Sequence, residues 1–167
     1  MRSRALGLGI LLNAGFKGLV MAQNKRVTFS LADGLKFHIV APSLKRLEAL
    51  HADWEKHVKK NPTDAKVAAF ADRSVANLSS IVVVADLEGK TMLLTGDARG
   101  DDILAGLTDA GFIASAKKGK AHFDVIKMPH HGSSRNMTLD FLRRIAADHY
   151  VISANGEHDN PDAETVD

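Results

Sequence analysis

The segment Phe123-Asp124-Val125-Ile126-Lys127-Met128-Pro129-His130-His131-Gly132-Ser133-Ser134 sets the fold class of this chain. Residues 123–128 read as a strand that a proline stops. Two imidazoles, a glycine and two hydroxyls follow at once. An upstream segment, Leu93-Leu94-Thr95-Gly96-Asp97, has the same plan. There an apolar strand delivers a carboxylate at its tip, just after a glycine that lets the backbone bend. Strand ends are where α/β folds place their chemistry. An Asp after a strand also serves as a turn or helix cap, so Asp97 alone decides little.

Working outward, strands alternate with helices. Residues 81–85 form a continuous apolar run, as expected of a strand covered on both faces. Residues 91–95 follow after a Glu88-Gly89-Lys90 turn. Residues 101–110 predict a helix with Ile103, Leu104 and Leu107 inward, closed by Gly111. Residues 138–147 predict a helix with Leu139, Leu142, Ile145 and Ala146 on one face, and 150–153 a last strand. This alternation implies an α/β layered domain.

Upstream, 27–31 and 35–40 read as a hairpin about Asp33-Gly34. Leu35, Phe37 and Ile39 alternate there with Lys36 and His38. From 44 to 60, Leu44, Leu47, Leu50, Trp54 and Val58 recur at helical spacing behind a candidate cap at Ser43. The other face of that helix is mixed in charge and reads as solvated rather than substrate-facing. Residues 61–76 read as a loop excursion, and 1–26 as a separate N-terminal strand or loop segment.

Composition bounds the possibilities. The 167 residues are 45% apolar and 25% charged, which suits one globular domain and excludes wholesale disorder. Lys and Arg number 22 against 20 Asp and Glu, a net charge of +2. That balance does not argue for nucleic acid by itself. Cysteine is absent, so any metal must be held by imidazole and carboxylate, and no cysteine nucleophile exists. No run reaches the length of a membrane span. Met1-Arg2-Ser3-Arg4, the apolar 5–12 and Val20-Met21-Ala22 are signal-like. Gly7, Gly9, Asn13, Gly15 and Lys17 break that run, which favours a cytoplasmic chain over a secreted one.

Two adjacent histidines need not point the same way. One can bind metal while the other hydrogen-bonds or meets substrate. Asp with His is a sound pair for zinc or manganese. Leu94-Thr95-Gly96-Asp97, then Lys127-Met128-Pro129-His130-His131-Gly132-Ser133, then Ser153 and Asn155-Gly156, resembles the metallo-β-lactamase-fold hydrolases. The nearest likeness is to the extracellular domain of ComEC-type competence proteins. Asn77-Leu78-Ser79-Ser80 and His158-Asp159-Asn160-Pro161 share it. The resemblance covers roughly 77–162, and 35–60 only in outline.

The resemblance implies a four-layer αβ/βα sandwich with a mixed sheet, flanking helices and a centre of two zinc or manganese ions. It implies Asp97 as the bridging ligand and His130 or His131 as a terminal ligand. His130, His131, Ser133 and His158 then carry the catalytic or substrate-side roles, with Lys127 and Ser134 beside them. The implied reaction is hydrolysis of a phosphoester, small-molecule or nucleic-acid. Two cations lower the pKa of a shared water and stabilise charge on the attacked centre.

One departure is serious. The family's His-x-His-x-Asp-His string is absent. His51 and His57 stand six apart on the 44–60 helix, not at the i, i+4 spacing of a helical metal pair. Residues 27–167 therefore read as the C-terminal half of the domain. The missing half, or a second chain, would supply the other ligands. A half-fold would leave the strands at 81–84 and 93–94 uncovered on one side. A non-catalytic remnant or partner-binding module is the second reading.

Overall fold

The computed structural model describes residues 7–8, 13–16, 18–60, 74–114, 118–156 and 159–166. It is a mixed α/β fold built on a six-stranded sheet with flanking helices. The strands are β1 (Val27–Ser30), β2 (Lys36–Ala41), β3 (Val82–Leu87), β4 (Lys90–Leu94), β5 (Ala121–Lys127) and β6 (Ile145–Val151). They lie in sequence order across the sheet. The first four pair antiparallel, whereas β4, β5 and β6 are parallel. The helices are α1 (Leu44–Lys60), α2 (Ser74–Asn77), α3 (Gly100–Asp109), α4 (Leu139–Arg144) and α5 (Ala163–Val166). Most of the predicted excursion at 61–76 lies outside the described residues, and its end forms α2.

Register assigns the sheet two faces, because directly paired residues share a side. His38, Val84, Leu93 and Ile126 form one row. This row faces α3 and α4, where Ile103, Leu107 and Phe141 close the core. Each such side chain contributes roughly 1.5–3 kcal/mol on leaving water. The opposite face carries two rows, Ile39–Val83–Leu94–Lys127–Val151 and Phe37–Ala85–Met92–Val125–His149. Phe16, Val20, Phe29 and Ile81 border its β1–β3 end, around an apolar hollow of about 280 Å³.

Several sequence expectations are corrected. Of the strands at 81–84 and 93–94, expected to be uncovered on one side, Ile81 is exposed as expected and so is the neighbouring Met92, whereas Val82, Val84 and Leu93 are buried on the helix side. His38, on the polar side of the β2 alternation, is only 5% exposed. Phe112 packs its ring edge-on to that imidazole, at 5.4 Å between centroids. The predicted helix 138–147 ends at Arg144. Ile145, Ala146 and Ala147 instead begin β6, pairing with Ala121, His122 and Phe123. A row of ladder bonds to an existing strand outweighs the helical spacing of those residues. Arg46 on α1 is not spread into solvent. It forks onto Asp102 of α3, with Nη2 2.7 Å from Oδ2. That pair ties α1 to the body of the fold, and its partner sits in the favourable first turn of α3.

Candidate active site

The parallel strands β4, β5 and β6 end side by side, and the chain turns away from each at the same edge. Ligands gather at such carboxyl ends because side chains from neighbouring loops converge there. Asp97 follows β4, His130 and His131 follow β5, and Ser153 follows β6.

Asp97 is held by its backbone. Its N–H donates to Ser80 Oγ at 3.1 Å, and its carbonyl accepts from Asn136 Nδ2 at 2.9 Å. Gly96 before it has φ +54°, and a Cβ there would meet Ser80 Cβ at 2.8 Å. Only glycine permits both the turn and the approach. The carboxylate does not cap α3, whose N-cap is Arg99. It faces inward instead. Lys127 Nζ stands 3.9 Å from Asp97 Oδ1 and donates to the Gly96 carbonyl at 3.0 Å. Burial pushes the Lys127 ammonium below its ordinary value, and Asp97 pulls the other way.

The histidine loop is strained. His130, His131 and Gly132 have φ of +46°, +57° and +86°. Two successive side chains in the left-handed region cost about 1–2 kcal/mol each. Such strain collects where a side chain must be aimed. Hydrogen bonds hold the loop from outside. His130 N–H donates to the Gly96 carbonyl at 3.0 Å, and Thr165 Oγ1 and Asp162 N–H both donate to the Gly132 carbonyl. The Ser134 N–H donates to Asp162 Oδ2 at 2.7 Å. That bond holds the Asp162 carboxyl below its usual value.

The two imidazoles diverge. His131 Nδ1 lies 2.5 Å from the Ser153 carbonyl, so that nitrogen carries the proton. Its Nε2 lies 3.8 Å from Asp97 Oδ1, and in the neutral ring that nitrogen carries the lone pair. A backbone carbonyl fixing the second ring nitrogen is how metal-binding imidazoles are held. His130 lines a neighbouring cavity, and among the described residues its buried Nδ1 has no hydrogen-bond partner. The structure thus brings together Asp97, His131 and Lys127, with Ser80 and Asn136 behind them. Ser133 lies beside His130 on the cavity wall. His158 lies outside the described residues.

Asp97 and His131 fit one corner of a zinc or manganese centre: an anionic oxygen and a neutral nitrogen, opposed and individually anchored. Among the described residues no group of three or more His, Asp or Glu side chains converges for a metal ion. His51 on α1 faces Glu55 on the surface at 3.9 Å and takes no part.

Asn136 was not legible in the sequence, because an Asn after Ser133-Ser134-Arg135 carries no pattern. Ser80, Ser153 and Arg135 fall within or beside the strings that carry the resemblance. Comparison with protein-family models, with curated proteins and with solved structures gives no match to this chain.

Proposed function

We propose that this chain is part of a metal-dependent phosphoester hydrolase of the metallo-β-lactamase kind, in which its sheet is one half of the four-layer sandwich. The observation that carries this reading is the convergence of Asp97 and His131 from two adjacent parallel strand ends, 3.8 Å apart. In this reading Asp97 and His131 hold metal, and the further ligands come from outside the described residues or from a second chain. A bound metal pair supplies an activated water and charge stabilisation at phosphorus. The chain's own residues aim the ligands. Ser153 fixes the His131 tautomer, Ser80 and Asn136 fix the turn that carries Asp97, and Lys127 places a cation beside that carboxylate.

The test is zinc and manganese content per chain after chelation and reloading, wild type against Asp97→Ala. Hydrolysis of an activated phosphodiester is followed in parallel. Wild type should retain metal with weak affinity, and the variant should lose both metal and turnover while its far-ultraviolet circular dichroism stays the same. A variant that keeps its metal and turnover sinks the assignment. The alternative reading is a non-catalytic, partner-binding module. It is favoured by the lack of a third ligating side chain near Asp97 and His131 among the described residues. Wild-type protein that takes up no metal would support it.

A further inference from the structure

The sheet face turned away from α3 and α4 has unequal ends. Its β1 end is built up. Phe16 packs on Phe29 with 5.5 Å between ring centroids, and Phe16, Val20 and Ile81 help to wall the hollow of about 280 Å³ there. Among the described residues, the β4–β6 end carries projecting apolar side chains instead, Met92 at 38% exposure and Val151 at 46%. One face thus holds both a socket and knobs of a kind to fill it.

The same face is free of carboxylates along both of its rows, which β1 extends by pairing Val27 with Ile39 and Phe29 with Phe37. Lys127 turns its ammonium to the Gly96 carbonyl and Asp97 at the strand end, leaving its apolar stem on the face. A surface that meets its own copy must be self-complementary, and a patch of one charge sign repels itself. Size also suffices. Five strand spacings of about 4.8 Å, by about 20 Å along the strands, give a flat footprint of roughly 480 Å² per copy. That is more than half of the ~800 Å² per partner in a standard interface, before side-chain relief is counted.

We infer that two copies of this chain associate face to face through this open sheet, about a two-fold axis that runs along the strands between β3 and β4. That axis lays β1 over β6, β2 over β5 and β3 over β4 of the other copy. The socket end then meets the knob end twice. Ala85 falls opposite Met92, Phe37 opposite Val125, and Ile39 over the stem of Lys127. Large against small at facing positions is how two sheets interdigitate at about 10 Å. An axis across the strands would stack Met92 on Met92 and Ala85 on Ala85, a clash beside a gap. The inference does not rest on the hydrolase reading.

The test is sedimentation of the full chain from low to high micromolar concentration. Wild type should pass from the 18.0 kDa monomer to a species of twice that mass and stop there, because a two-fold interface closes. Met92→Lys should weaken the dimer more than tenfold, since each interface carries the substitution twice. Cysteines, which the chain lacks, read the orientation. A mixture of Val27→Cys and Val151→Cys chains should be joined by a short bis-maleimide. Either variant alone should not, because like positions then stand at opposite edges of the sheet, about 24 Å apart. A chain that stays monomeric at every concentration overturns the inference. If that monomer binds a hydrophobic dye, the face belongs to another protein or a lipid; if it is dye-silent, the face is covered within the chain. Growth beyond the dimer, or single variants that crosslink as readily as the mixture, overturns it as well. Metal retained by Asp97→Ala overturns the hydrolase reading alone, so the two failures are told apart.

Discussion

His38 shows what a single side chain decides in this fold. Its Nδ1 lies 2.9 Å from Thr28 Oγ1 on β1, and its Nε2 lies 3.9 Å from Asp86 Oδ2 on β3. Burial lowers its pKa from 6.5; Arg26 and Lys36 add to that, and Asp86 opposes it. The unfolded chain therefore binds this proton more readily than the folded one. The stability from the neutral, buried ring is full above about pH 6.5 and is lost as pH falls from there toward the lower folded value. Urea titrations across pH 7 to 5 should show this loss in wild type and a flatter profile in His38→Gln. An unchanged slope in the variant would remove His38 as the cause. The burial was not legible in the sequence. Period-two alternation placed His38 on the polar side, but that is the side of the sheet the helices cover. Which of the two imidazoles stands beside Asp97 was equally closed to the sequence. It depends on left-handed φ values at both residues, which only the tertiary hydrogen bonds around the loop impose.

Among the elements, α3 against β2 is the closest contact to test. A Cβ at Gly106 would stand 2.0 Å from the Val40 carbonyl oxygen, a backbone atom that cannot swing aside. Gly106→Ala should destabilise the fold by about 2–3 kcal/mol, the cost of overpacking, despite the better helix propensity of Ala. Thermal unfolding checks it, and a raised midpoint would mean that α3 slides freely on the sheet. Most of these elements were legible beforehand. The apolar runs around Val83, Leu93 and Ile126 are strands, and Ile103, Leu104 and Leu107 are the buried stripe of α3. The boundary between α4 and β6 was not. Ile145-Ala146-Ala147 continues a helical spacing as readily as a strand, and the parallel partner at Ala121–Phe123 decides between them. The four-residue α5 spans Ala163–Val166, with Glu164 in its first turn.

At the scale of the whole molecule, the sheet has one face packed by helices and one that the described residues leave largely open. Ile81 is 50% exposed, Met92 38% and Val151 46%. Apolar surface of this kind draws association in water. The isolated chain should bind a hydrophobic dye and elute above its 18 kDa mass at high concentration. Met92→Lys together with Val151→Lys should reduce both effects while leaving the helix-side core untouched. A dye-silent monomer at all concentrations would mean that the open face is covered within the chain. Among the described residues no helix is long and apolar enough to cross a membrane.

The strap of Asp162 and Thr165 over the Gly132 carbonyl links two distant parts of the chain thermodynamically. Opening the strap frees the histidine loop, and ordering the loop favours the closed strap. Any ligand that prefers the ordered loop must therefore slow amide exchange at Ser134 and Asp162 by the factor in which its two affinities differ. Residues 159–166 would then act as a built-in reporter of occupancy at His131, more than 20 positions away in sequence.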